Sequence, residues 1–180
     1  REVERTAHRR RPRTSRRERL MDTKALAAFL DEQLGDHQPI AVEAMTGGGS
    51  CEVFSLDRGD DHWVLRRAPA HANTSRAHDV LREYRILAAL EGAAVRVPRP
   101  IVACDDTRIF ATPFYVMERI DGVPVRNGIP AAWADAPETQ HRAVEELIDA
   151  LVEVHAIDWR AVGLTDLGRA EGFLERQVER

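Results

Sequence analysis

Apolar residues at Leu26, Phe29, Leu30 and Leu34 recur every three or four positions, which predicts a helix capped by Asp22 or Thr23 and stopped by Gly35. Pro39 resets the chain to extended structure. The period then shortens to two, from Ile40 to Thr46 and again from Cys51 to Leu56, with Gly47-Gly48-Gly49-Ser50 between the two runs. Asp57-Arg58-Gly59-Asp60 reads as a second turn, leading into His62-Trp63-Val64-Leu65-Arg66, so a three-strand meander is expected. Pro69 closes the third strand and residues 70–75 read as loop. Ala77, Val80, Leu81, Tyr84, Leu87 and Ala88 return to helical spacing up to Gly92.

Val97-Pro98-Arg99-Pro100 forces an extended approach to Ile101-Val102-Ala103, and Asp105-Asp106 turns the chain toward a fifth strand at Phe114-Tyr115-Val116-Met117. Past Asp121-Gly122, Pro and Gly accumulate through Pro130, the composition of a connector. Pro137 then starts a long helix whose core side is predicted to be Val144, Leu147, Ile148, Leu151 and Val154. Another helix opens after Glu171. No internal repeat is present. The order of elements predicts an α+β chain: a small antiparallel sheet with a helix, followed by the first helices of a second unit.

Charge divides the chain further. Residues 1–20 hold nine arginines against Glu2, Glu4 and Glu18, a net +6, so residues 21–180 carry −10 of the overall −4. Such a tail cannot bury enough apolar surface to order itself and is expected to be disordered. Arg clusters can bind phosphate backbones, but the tail has no aromatic side chain to stack on a base, which argues against nucleic acid. The alternative is that Met21 begins the natural protein and residues 1–20 are a non-native extension. With 43% hydrophobic and 31% charged residues, the 180-residue chain as a whole suits a globular body. No apolar run approaches the roughly 20 residues of a membrane helix, no secretory leader follows the basic start, and a cytoplasmic location is the expectation. Cys51 and Cys104 lack partners at metal spacing and are expected to be free thiols. His62, His71, His78 and His141 are scattered without ligand spacing.

The glycine run is the first candidate for chemistry. Residues without a Cβ let backbone N–H groups close on an anion, and the strand ending at Arg66 brings a cation toward the same place, which suits a nucleotide triphosphate. An ordinary flexible hairpin and a surface Arg at a strand end are the alternatives. Arg67, one residue on, should face the opposite side of the sheet.

Gly47-Gly48-Gly49-Ser50-Cys51-Glu52-Val53-Phe54, Trp63 to Pro69, Arg82-Glu83-Tyr84-Arg85-Ile86-Leu87, Tyr115-Val116-Met117-Glu118 and Leu151 to Asp158 together resemble the aminoglycoside phosphotransferase-like small-molecule kinases. The likeness is strongest to the kinase-like domain fused to some acyl-CoA dehydrogenases, and it covers nearly everything after Met21. It implies a protein-kinase-like small lobe over residues 21–122 and a connector with the start of a truncated large lobe over 123–180.

By that resemblance Gly47, Gly48, Gly49 and Ser50 would cover the β- and γ-phosphates of ATP. The family usually places Lys on the third strand, yet Lys24, in the first helix, is the only lysine here. Arg66 would take its place, as the acyl-CoA-dehydrogenase-linked branch accommodates, with Glu83 pairing to it from the helix. Met117 would back the adenine pocket, and the Glu118 carbonyl and Ile120 amide would bind adenine through backbone. A local pair of Glu83 with neighbouring arginines and an unliganded strand edge are the alternatives. The family's catalytic His-Gly-Asp, its following Asn and its Mg²⁺-binding Asp match nothing in residues 156–180. His155 to Asp158 reads as structural. The resemblance therefore implies an ATP-dependent phosphotransferase acting on an unidentified small-molecule alcohol, with no catalytic residue in this chain, Mg²⁺ ligands expected beyond Arg180, and no turnover from these residues alone. A non-catalytic nucleotide-binding or interaction module is the competing expectation.

Overall fold

The computed structural model describes residues 22–45, 51–68, 79–123, 125, 128–168 and 171–179. The basic tail, the Gly47 to Ser50 run and the loop at 70–75 lie outside the described residues.

Helix α1, Thr23–Leu34, begins where the Asp22 carboxylate accepts the Lys24 and Ala25 amides at 3.0 and 3.1 Å. It ends at Gly35, whose φ of 74° is a left-handed value that L side chains resist. Strands β1 (Ile40–Ala44), β2 (Glu52–Arg58) and β3 (Asp61–Arg67) form the expected meander. Helix α2, Val80–Leu90, starts on Asp79, whose side chain accepts the Arg82 amide. Strands β4 (Pro100–Cys104) and β5 (Phe114–Glu118) complete the sheet. Beyond it come a short 3₁₀ turn at Ala131–Trp133, helix α3 (Pro137–His155) and helix α4 (Phe173–Val178).

The sheet is antiparallel throughout, in the order β1-β2-β3-β5-β4. Pro100, which has no N–H to donate, begins β4 on the sheet's edge, where that loss is tolerated. Alternation splits the sheet into two faces. On one, Leu26 and Leu30 of α1 pack with Phe54, Leu56, Trp63, Leu65, Phe114 and Val116 to make the main core. On the other, α2 covers Cys51, Ala68 and Tyr115 through Val80, Tyr84 and Leu87. Both cysteines are buried and unbridged.

Two expectations need correction. The turn expected over residues 57–60 is narrower, because Asp57 and Arg58 continue β2 and only Gly59-Asp60 turn. Arg58 follows Phe54 and Leu56 at strand period and is itself buried on the α1 face. On α3 the stripe read as a core side is exposed at Val144, Leu147, Ile148, Leu151 and Val154.

Candidate functional site

Register fixes which side chains meet. Val53 of β2, Arg66 of β3, Tyr115 of β5 and Ala103 of β4 are successive partners in one row across the α2 face. The next row along that face is Ser55, Val64 and Met117. A cation thus lies beside a strip of small and apolar side chains.

The glycine run connects β1 to β2. Ala44 pairs with Phe54, and the Met45 amide donates to the Val53 carbonyl at 2.9 Å, so the hairpin is closed right up to the base of that connection. Arg66 is directly opposite Val53, one residue from this base.

Helix α2 crosses the same face with Glu83 in its first turn. Arg66 donates from Nε to Glu83 Oε2 at 3.0 Å and from Nη2 to Oε1 at 3.3 Å, a two-pronged charge-assisted pair. The side chains retain 27% and 36% exposure, so the pair sits at the rim of the core, within reach of a ligand. Among the described residues Arg66 Nη1 donates to no acceptor. Burial pulls the Arg66 pKa down, but Tyr115 and Glu83 raise it by more, and the guanidinium stays charged. The structure brings Arg66 and Glu83 together as the sequence suggested, and it excludes a merely local pairing of Glu83.

Met117 lies half-buried on the cation's face, packed with the α2 cluster. Glu118 ends β5, its amide donating to the Arg99 carbonyl at 2.8 Å. Its side chain accepts the Arg99 amide at 3.1 Å, a tie between the strand end and the approach to β4 that sequence reasoning did not foresee. Ile120 is exposed past the strand, and among the described residues its N–H donates to nothing, which leaves it open to a ligand acceptor. Gly47, Gly48, Gly49 and Ser50 are outside the described residues.

Sequence reasoning also missed Tyr115. Its hydroxyl donates to Glu83 Oε2 at 3.0 Å from a site only 3% exposed, and burial pushes the phenol's pKa well above its ordinary value. The signal was present in the alternation, since Tyr115 shares a face with Met117, but it required the β3–β5 register. Arg67 turns to the other face as expected and pairs with Glu52 at 2.7 Å. Among the described residues no group of three His, Cys, Asp or Glu side chains could hold a metal ion. His62 is exposed and bonded to Asp57, and His141 is exposed on α3.

A five-stranded antiparallel sheet with a helix carboxylate pinned to a strand cation defines the small lobe of a kinase-like fold. The match of the phosphotransferase enzyme family to residues 41–180 makes the assignment specific: the chain belongs to that family. It is 33% identical to acyl-CoA dehydrogenase family member 11 of Gallus gallus over 77% of this chain and 18% of that protein. The Rattus norvegicus counterpart is 31% identical over 87% of this chain and 20% of its own length. A solved Ralstonia eutropha structure described as an aminoglycoside phosphotransferase superposes with a TM-score of 0.71 at 28% identity, over 88% of this chain and 45% of that one. The chain therefore spans about a fifth of these curated relatives and under half of the solved one.

Proposed function

We propose that these residues form the ATP-binding lobe of a phosphotransferase whose acceptor is a small-molecule hydroxyl. The observation that carries this reading is the Arg66–Glu83 pair, held beside the base of the β1–β2 hairpin with Nη1 uncommitted among the described residues. Gly47 to Ser50 would close over the triphosphate through backbone N–H groups and a hydroxyl. Arg66 would neutralise phosphate oxygens through a planar fork of donors that stays charged at any working pH. Val53, Val64 and Met117 offer an apolar surface beside the cation that suits a purine ring, and the open Ile120 amide supports the adenine contact inferred for Glu118 and Ile120.

Phosphoryl transfer depends on positioning and on electrostatic stabilisation, and it needs a base for the acceptor hydroxyl. No His-Gly-Asp occurs in residues 156–180, and no three-ligand metal cluster exists among the described residues. We therefore expect these residues alone to bind nucleotide without turnover.

Calorimetry with ATP and Mg²⁺ on the 180-residue chain tests the reading. Loss of a charge-assisted contact is worth roughly 1.5–3 kcal/mol, so Arg66→Ala should weaken binding by about ten- to a hundredfold. Lys24→Ala should change little, because Lys24 is exposed on α1, which packs on the other face of the sheet. Equal affinities of the two variants would remove the cation assignment.

A further inference from the structure

We propose that Tyr115 is a positioning residue that selects the way Glu83 grips Arg66, so that the outer nitrogen of the guanidinium remains available to the triphosphate. The inference rests on the nucleotide-binding reading above.

An arginine can meet a carboxylate side-on, through Nε and one Nη, or end-on, through both Nη atoms. A lysine in this position would offer a single ammonium and no such choice. The difference matters here because an end-on pair would occupy the distal edge of the guanidinium with Glu83, whereas a side-on pair leaves that edge, both Nη1 hydrogens and one on Nη2, free for a second anion. The observed pair is side-on, with Nε on Oε2 and Nη2 on Oε1.

Something must bias the pair toward that geometry, and the hydroxyl of Tyr115 is placed to do so. It donates to Oε2, the same oxygen that receives Nε, at an equal 3.0 Å. Tyr115 is also the direct cross-strand partner of Arg66, so its ring rises from the sheet next to the arginine stem. The ring is held in turn by Tyr84 of α2, with centroids 6.1 Å apart, and by packing against Cys51, Ala68 and Val80. A rigid donor therefore pins one carboxylate oxygen on the sheet side of Glu83. With Oε2 so fixed, rotation of the carboxylate toward an end-on grip would leave a buried hydroxyl unpaired, at a cost. Because burial raises its pKa, the phenol keeps its proton and remains a donor.

The test is a double-mutant cycle on the 180-residue chain, with ATP and Mg²⁺ as the probe and near-ultraviolet circular dichroism to confirm folding. Tyr115→Phe keeps the ring and removes only the donor. Glu83→Gln keeps the shape of the carboxylate and removes its charge. Tyr115→Phe should weaken ATP binding by roughly three- to tenfold, less than the loss of a direct charge-assisted contact, because the hydroxyl acts on the nucleotide only through Glu83 and Arg66. Added to Glu83→Gln, it should change affinity by less than about twofold, because Tyr115 acts through the carboxylate. A second readout needs no nucleotide. The Arg66 Nε–H resonance, identified by its loss in Arg66→Lys, should be slow to exchange in the wild type and should exchange faster in Tyr115→Phe. If the wild type binds ATP but Tyr115→Phe binds it equally well, the positioning role is overturned while the nucleotide site stands. Additive losses in the cycle would also overturn it, since they would make Tyr115 a packing residue only. If the wild type binds no ATP, the nucleotide reading fails and the inference falls with it.

Discussion

Arg66 and Arg67 show how much one step along a strand decides. Both are guanidinium groups on β3, yet the first pairs with Glu83 at the rim of the α2 face, while the second is buried on the α1 face. Arg67 lies over the rings of Phe54 and Phe110 at 5.3 and 5.5 Å and pairs with Glu52. Its methylene stem and its cation–π contacts make it part of the core. We expect Arg67→Ala to destabilise the chain by about 2–4 kcal/mol, as a large-to-small core change does, with ATP affinity unchanged once folding is accounted for. Arg67→Met, which refills the space but strips Glu52 of this partner, should recover only part of that loss. Denaturant midpoints of the two variants separate packing from ion pairing; equal losses would make the charge, and not the volume, the important term. The two opposite faces were legible in the sequence because side chains alternate along a strand. The role of Tyr115 was not, because it depends on β3 lying beside β5 instead of β4, a long-range pairing that no local pattern encodes.

Among the elements, the ends of helices were easier to foresee than the joints between them. Asp22 and Gly35 bound α1 for local reasons, one a capping carboxylate and the other a residue tolerant of positive φ. Beside the packing of Leu26 and Leu30, what ties the C-terminal end of α1 to the sheet is Arg58, which looked from sequence like part of a turn. Its Nη2 donates to Asp31 Oδ1 at 2.8 Å and to Asp36 Oδ1 at 2.6 Å, and Nη1 reaches the Gln38 carbonyl at 3.2 Å. An arginine in a turn and an arginine ending a strand inward have the same local sequence, and only the meeting of α1 with β2 tells them apart. Arg58→Ala should cost about 2–4 kcal/mol, since it removes several charge-assisted hydrogen bonds and leaves a void. For a chain of this size that is a fall in Tm on the order of 10 °C. Acid should act on the same joint. Hydrogen bonds from His37 first, and then from Arg58, hold the Asp31 carboxyl below its ordinary 3.8. A carboxyl whose pKa is lower folded than unfolded contributes fully above the unfolded value and loses that contribution as pH falls through the folded one. The Tm deficit of Asp31→Asn relative to wild type should therefore be complete at neutral pH and shrink below about pH 4. A deficit that persists undiminished in stronger acid would show that the carboxylate's charge is not what ties α1 down.

At the scale of the whole molecule, the small lobe and α3 are joined differently from the way the small lobe is joined to itself. The extent of α3 was legible from Pro137 and from the apolar repeat, but amphipathicity says only that a face seeks cover, not what supplies it, and here that stripe is exposed. Instead, polar ties reach across. Arg96, between α2 and β4, donates to Glu146 Oε2 at 2.6 Å, to the Glu146 carbonyl at 3.2 Å and to Glu153 Oε2 at 3.1 Å. Two turns of α3 are thus gripped by one side chain. Arg85 of α2 reaches Asp166 at 2.7 Å, a second tie from the helix that carries Glu83. Exposed ion pairs contribute little individually and are screened by salt, so this joint should open more readily than the sheet. Hydrogen exchange on Arg96→Ala should show the amides around Glu146 to Glu153 exchanging about two- to fivefold faster, with β2, β3 and β5 unchanged, and added salt should produce the same change in the wild type. Uniform acceleration across sheet and helix would mean that α3 and the small lobe open as one unit, and that the arginine ties are not the separate joint the geometry describes.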